Sequence, residues 1–159
     1  MEPIVVSDSK AIELFRKYGA GEEENGKVKI HPLEALYFME RGKLALEGET
    51  FASLLAKLKK EDGLAGEKYS ILKHLRQNGY ILRPSYAAED WLRVYRKGFR
   101  PGEDRTQFLL RVVEIGWQPK LQELAADLKK AAEVRKELVY AYVENGKAQF
   151  FKTTRTSFD

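Results

Sequence analysis

The stretch Ala132-Glu133-Val134-Arg135-Lys136-Glu137-Leu138-Val139-Tyr140-Ala141-Tyr142-Val143, running on into Glu144-Asn145-Gly146-Lys147, decides the fold class of this chain. A helical pattern closes on the cationic pair Arg135-Lys136, and a run rich in β-branched and aromatic residues opens directly behind it. Asn145 and Gly146 both accept the positive φ of a type I′ turn, so a strand over 138–143 folds back as a hairpin on 148–152. The predicted class is α+β, mixed α/β, with a mixed sheet and a terminal hairpin.

Working outward, 121–134 reads as a helix. Ahead of it lie strands over 108–113 and 92–95, the latter separated by a Pro-Gly-containing loop that carries Glu103. Further back, 67–77 is a helix with Tyr69, Leu72 and Leu75 on one side, stopped by Asn78-Gly79 and followed by a strand over 80–82. The first third reads as a separate small α/β unit. It contains a strand over 4–6, a helix from Ser9 capped by Ser7 or Asp8, an acidic turn-rich stretch over 19–26 and an alternating strand over 27–30. Pro32 fits the first turn of the next helix, which stops at Gly42. A strand over 43–46 and a Thr50-capped helix complete the unit. The Gly63 to Gly66 segment is the expected boundary between an N-terminal domain, 1–65, and a C-terminal domain, 66–159.

Composition sets the outer bounds. The 159 residues are 43% hydrophobic and 33% charged, which describes a globular chain. No apolar run approaches the roughly 20 residues needed to cross a bilayer. The start, Met1-Glu2-Pro3-Ile4, lacks the basic and apolar regions of a signal peptide, so a cytoplasmic protein is expected. Without cysteine there is no disulfide, thiolate chemistry or cysteine zinc site, and no metal or cofactor is expected. The formal charge of +4 permits phosphate contact without demanding it. Abundant Lys, Arg and Glu beside two Met also fit a heat-adapted organism.

Few residues carry chemistry on their own. No zinc-protease, nucleophile-elbow or phosphate-loop motif occurs. His31 stands beside a helix start and His74 inside a helix, and both read as structural or solvated. Lys129, Lys130, Arg135 and Lys136 form a basic face that is either solvated surface or a phosphate contact. These features describe a globular α+β protein with a possible RNA-facing side.

Several segments, in order, resemble the archaeal-type tRNA-intron splicing endonucleases. His31-Pro32-Leu33-Glu34-Ala35-Leu36-Tyr37-Phe38-Met39-Glu40-Arg41-Gly42-Lys43-Leu44 is similar to the family's leucine-rich amino-terminal helix. Tyr69 through Leu75-Arg76 to Gly79-Tyr80, then Arg83-Pro84-Ser85, Arg93-Val94-Tyr95-Arg96 and Val134-Arg135-Lys136 follow the pattern of its nuclease-fold domain. The resemblance implies metal-free RNA cleavage, in which a ribose 2′-OH attacks the adjacent phosphorus to leave a 2′,3′-cyclic phosphate and a 5′-OH. A tyrosine would act as general base, a histidine as general acid, and a lysine would stabilise the transition-state charge. On this chain the tyrosine falls at Tyr95 and the lysine at Lys136. The histidine position, within Asp104-Arg105-Thr106-Gln107-Phe108, falls on Arg105.

Arg105 changes the chemistry, because a guanidinium with a pKa above about 12 keeps its proton and gives none to a leaving alkoxide. The family's Lys-Phe-Gly turn before the tyrosine strand is also replaced, by Ala87-Ala88-Glu89-Asp90-Trp91. The resemblance therefore implies a non-catalytic structural subunit. Its partner would be a catalytic paralogue in an α₂β₂ heterotetramer acting on precursor tRNA at bulge-helix-bulge sites. Glu144 is the match to the family's acidic docking loop, and Phe150 and Phe151 lie on the strand expected to pair with a partner. Lys129, Lys130, Arg135 and Lys152 are the candidate RNA contacts. Two rival expectations are an active subunit with a substituted general acid, and an RNA-binding or assembly module with no part in cleavage.

Overall fold

The computed structural model describes residues 1–85, 91–99, 101–103 and 105–158. The elements run β1 (Ile4–Val6), α1 (Ser9–Tyr18), β2 (Glu22–Glu24), β3 (Lys27–Ile30), α2 (Pro32–Glu40), α3 (Phe51–Glu61) and α4 (Ala65–Gln77). They continue with β4 (Leu82–Pro84), β5 (Trp91–Val94), β6 (Phe108–Val112), α5 (Leu121–Glu133), β7 (Glu137–Glu144) and β8 (Lys147–Thr153). The front elements make a three-stranded antiparallel sheet in the order β1-β3-β2. The rear sheet has the order β4-β5-β6-β7-β8 and is mixed, because β6 and β7 run parallel and the other pairs antiparallel. A parallel pair needs a long crossover, and α5 supplies it. The expected class, mixed α+β with a mixed sheet and terminal hairpin, is the one observed.

α2 is the centre of the molecule. Seven of its residues from Pro32 to Phe38 are buried, and a helix apolar on all sides has to be enclosed. α3 and α4 pack against it, and α4 also lies on β7 and β8. Buried side chains before and after Gly63, such as Leu36, Leu58, Leu72, Leu92 and Val139, form one continuous cluster. On the opposite face of the rear sheet α5 covers a smaller cluster of Trp91, Leu109, Val113, Leu138 and Tyr140.

One charged residue inside α2 organises its surroundings. Glu34 is only 2% exposed, and burying a lone carboxylate is prohibitive. Arg76 of α4 meets it in an ion pair, and Arg76 Nη1 also donates to Tyr18 O at the end of α1 (2.8 Å). The second carboxylate oxygen accepts the Gly21 N–H at 3.3 Å. Gly21 has φ +66°, and a Cβ there would lie 2.5 Å from Lys29 O, so only glycine lets the chain pass. Burial outweighs Arg76 and pushes the Glu34 carboxyl above the usual range.

His31 has a different local task. Its Nδ1 accepts the Leu33 N–H at 3.1 Å, which caps α2 ahead of Pro32. Burial lowers its pKa to about 3, with the Met1 amino group and Lys68 adding repulsion.

Three segments differ from the sequence reading. The 19–26 stretch contains a short strand, β2, because Asn25 and Gly26 (φ 52° and 75°) form a second hairpin turn of the kind at Asn145-Gly146. Residues 43–46 are not a strand. The N–H groups of Lys43 and Leu44 both donate to Phe38 O (2.8 and 3.2 Å), closing α2 behind the left-handed Gly42, and only an isolated Leu46–Glu49 bridge forms. β4 starts two residues later than predicted and includes Pro84, tolerated because β4 is a sheet edge.

Two outcomes follow from this core. Arg76→Met leaves Glu34 buried and uncompensated, and should cost about 3–5 kcal/mol in urea unfolding. Adding Glu34→Met should recover part of that loss; no recovery would mean that the pair is not the term being measured. The His31 imidazole is neutral when folded and protonates near pH 6.5 when unfolded, so its stability contribution is present above that pH. It falls by about 1.4 kcal/mol per pH unit between about 6.5 and 3. His31→Asn keeps an acceptor at the cap and should flatten the acid limb of stability against pH by that slope.

Candidate functional site

The rear sheet brings three strand ends together. The β5–β6 ladder finishes at Val94–Phe108, and the Gln107 N–H carries it one step further by donating to Val94 O (2.9 Å). The parallel β6–β7 ladder begins at Phe108–Glu137, with the Glu137 N–H donating to Gln107 O (2.9 Å). Tyr95, Gln107 and Lys136 therefore stand side by side, one step past the ladders. Strand alternation puts Trp91, Arg93 and Tyr95 on the face covered by α5.

α5 is fixed to that face by a guanidinium held between rings. The Arg111 Cζ lies 5.7 Å from the Trp91 ring and 5.1 Å from that of Trp117, and its Nη1 donates to Asp127 at 2.7 Å. The Tyr140 hydroxyl donates to the same carboxylate oxygen at 2.7 Å, and burial together with that bond raises the Tyr140 pKa. With the helix so held, its C-terminal exit delivers Arg135 and Lys136 to the sheet end. The Lys136 ammonium donates to Thr106 O at 3.0 Å.

An open cleft of about 340 Å³ lies there, lined by Arg96, Arg105, Thr106, Gln107 and Arg135. Burial lowers the Lys136 pKa, and the positive charges of Arg93 and Arg105 lower it further. The site is strongly cationic. Arg96 lays its guanidinium over Phe99 at 4.5 Å. Tyr95, by contrast, is only 6% exposed. The arrangement suits binding of an anion by planar donors, and neither of the chain's histidines is near it: His31 caps α2 and His74 lies 5.7 Å from Phe150.

The structure thus groups Tyr95, Arg105 and Lys136 at one end of the sheet. Arg96, Thr106 and Gln107 were missed as site residues; for Gln107 the signal was its register opposite Tyr95. The replaced turn at Ala87 to Asp90 and the neighbouring Asp104 lie outside the described residues.

The other candidate contacts are dispersed. Lys129, Lys136, Lys152 and Arg155 line a groove of about 650 Å³ between α5 and the end of β8. Lys130 lies over the Trp91 ring at 4.6 Å, and Lys152 pairs with Glu137 at 3.1 Å. Glu144 is exposed at the hairpin tip, opposite Lys147. Phe150 is partly buried against the main core, whereas Phe151 is 58% exposed and stacks on Tyr142 at 5.8 Å. β8 forms the sheet edge. Among the described residues no helix is long and apolar enough to cross a membrane.

Comparison with known proteins gives this geometry a context. Residues 66–150 match the family described as tRNA intron endonuclease, catalytic C-terminal domain. The chain is 34% identical over 140 residues to a tRNA-splicing endonuclease of Thermococcus onnurineus, covering 85% of this chain and 80% of the relative. A tRNA-splicing endonuclease of Pyrococcus furiosus is 32% identical over 155 residues, covering 94% and 89%. One of Methanothermobacter thermautotrophicus is 29% identical over 148 residues, covering 89% and 84%. With the matched segment running from α4 through α5 into β8, and relatives aligned along most of the chain, this protein belongs to the tRNA intron endonuclease family.

Proposed function

We propose that this chain is a non-catalytic, structural subunit of a cytoplasmic tRNA-splicing endonuclease, working in an α₂β₂ heterotetramer with a catalytic paralogue. The assembled enzyme cuts precursor tRNA at bulge-helix-bulge sites and leaves 2′,3′-cyclic phosphate and 5′-OH ends. The observation that carries this reading is Arg105, a permanent cation where the family places its proton donor, in a cleft otherwise lined by Arg96, Thr106, Gln107 and Arg135. General acid catalysis contributes about 10²–10⁴-fold, so its loss leaves a poor enzyme. The buried Tyr95 supports the same reading, since a general base has to reach the ribose hydroxyl.

The division at Gly63 to Gly66, with an N-terminal domain over 1–65 and a nuclease-fold domain over 66–159, belongs to this proposal. Support comes from the family match, which starts at residue 66. In assembly the edge of β8 pairs with the partner, because an uncovered aromatic edge strand invites association, and Phe151 is already outside its own core. Glu144, at the tip of the β7–β8 hairpin, docks in a basic cleft of a neighbouring subunit. Lys129, Lys130, Arg135 and Lys152 provide contacts to RNA.

A second reading, an active subunit with a substituted acid, has one observation in its favour. The lowered pKa of Lys136 makes its ammonium a better proton donor than an ordinary lysine. Cleavage assays separate the two. The purified chain alone should leave a bulge-helix-bulge RNA intact, and the complex with a histidine-containing paralogue should cut it. Tyr95→Phe should change the rate of the complex by less than about tenfold, or about 1.4 kcal/mol of barrier. A larger drop, or cleavage by the chain alone, establishes the active reading instead.

Assembly has its own test. Glu144→Lys replaces attraction by like-charge repulsion and should lower the sedimenting mass of the complex, with a dependence on salt. An unchanged mass at low protein concentration removes Glu144 from the interface.

A further inference from the structure

The face of the rear sheet that packs on α4 has a pocket of its own. α4 stops at Asn78, where the Tyr80 N–H closes the helix on Leu75 O (3.0 Å) behind the left-handed Gly79 (φ +86°). The chain turns away there, and a pocket of about 440 Å³ opens between the helix end and the sheet. Its floor is Leu75, Val94, Leu110 and Val139, all buried. Val94 pairs with Phe108 and Leu110 with Val139, and strand alternation turns this face away from Tyr95 and α5.

Three rings wall the pocket, those of Tyr80, Phe108 and Phe150, each partly buried against the main core. Polar side chains stand at its mouth. The His74 ring lies 5.7 Å from that of Phe150, and Asn78 Nδ2 donates to His74 O at 2.8 Å. Lys97 runs beside the helix exit, where a Cβ on Gly79 would lie 3.5 Å from its Cε. All three are exposed, and among the described residues no carboxylate lines the pocket. The volume is within the range of small-ligand sites, about 300–1,000 Å³. An apolar slot between rings, with an imidazole, an amide and an ammonium at its rim, suits a flat heteroaromatic group that accepts hydrogen bonds and carries negative charge beside it. Unpaired nucleotides have that chemistry, because the base stacks on aromatic side chains while its phosphate meets a cation. An aliphatic anchor from a protein would use the floor alone.

We propose that this pocket takes an unstacked nucleobase, with the phosphate of the same nucleotide at Lys97. Val94 and Phe108 form the last rung before Tyr95 and Gln107, so the pocket borders the strand end at which the family-type positions meet, on the other face of the sheet. A bulge nucleotide is already unpaired and enters at little cost. The inference rests on the reading that the chain meets precursor tRNA, and is independent of whether it cuts. A free nucleotide has the same chemistry as a bulge nucleotide, and the two sources separate by experiment.

The full chain, with methyl-labelled leucine and valine, is titrated in the NMR spectrometer with three probes. These are adenosine monophosphate, a bulge-helix-bulge RNA with 2′-deoxy nucleotides at its cleavage positions, and a fully paired RNA of the same length. Anisotropy of the two RNAs measures total binding alongside. The methyl signals of Leu75, Val94, Leu110 and Val139 should shift with the bulged RNA and stay in place with the paired one. Phe150→Leu, which keeps apolar volume but removes a ring, should weaken binding of the bulged RNA about tenfold. Lys97→Ala, an exposed change that leaves the core alone, should reduce the salt slope of that binding by about one. Shifts with adenosine monophosphate but not with bulged RNA keep the base pocket and assign it to a free nucleotide. Binding of the bulged RNA with these four methyl signals unmoved overturns the pocket, as does unchanged affinity and slope in both variants. Shifts produced only by adding a histidine-containing paralogue also overturn it, since the face is then a subunit contact. Absence of any RNA binding in the anisotropy is a separate failure, of the tRNA reading, and the nucleotide titration still decides the pocket.

Discussion

A carboxylate enclosed in the most buried helix of the molecule constrains everything around it. Glu34 has to face Arg76, and Arg76 has to reach both that carboxylate and the end of α1. The orientation of α4 against α2 is therefore set by hydrogen-bond geometry as well as by the apolar contacts of Leu36, Ile71 and Leu72, which many rotations would satisfy. Buried ion pairs contribute little net stability compared with well-packed apolar side chains, so direction is the main consequence here. α4 is also the helix on which β7 and β8 rest. A charge pair between α2 and α4 thus helps to orient the rear sheet on which α4 rests.

From α4 onward the chain order does the rest. Two antiparallel pairings place the end of β5 next to the start of β6, and the parallel crossover through α5 brings the start of β7 to the same end. Any residue just outside these three strands is forced into company with the others. Tyr95, Gln107 and Lys136 meet for that reason, while Arg96 and Arg135 follow from the loop and helix exit next to them. The tether between α5 and the sheet has matching importance. The Arg111–Asp127 bond adds direction to the apolar packing of α5, whose exit carries Arg135 and Lys136.

Much of this architecture was legible in the sequence where local chemistry and burial agree. Asn145-Gly146 names its turn, Thr50 caps its helix, and Pro32 and Gly42 bracket α2. The failures share a cause. Lys43 to Leu46 alternates like a strand, yet its N–H groups are consumed in closing the preceding helix, an assignment that depends on three-dimensional hydrogen bonding. The triple-glutamate strand β2 has no apolar residue to mark it, and only its Asn25-Gly26 turn announced a hairpin. At the candidate site, Tyr95, Arg105 and Lys136 were reached through a family pattern. Arg96 and the left-handed Arg135 backbone were not, because side-chain convergence and positive φ at an arginine leave no trace in residue spacing.

The cationic cleft also bears on the proposal that the chain is a non-cleaving subunit. Like charges gathered at one end of a sheet oppose folding unless their neighbours compensate them. Lys136 spends a hydrogen bond on the Thr106 carbonyl while burial and the charges of Arg93 and Arg105 drive its pKa down. The same fold needs only packing and an edge strand to support assembly, and packing is already supplied by α4 and α5. On the proposed reading, Arg105 at the family's histidine position removes the proton transfer but preserves attraction for phosphate. Charge kept and acid chemistry absent is the combination that the proposed non-cleaving subunit requires.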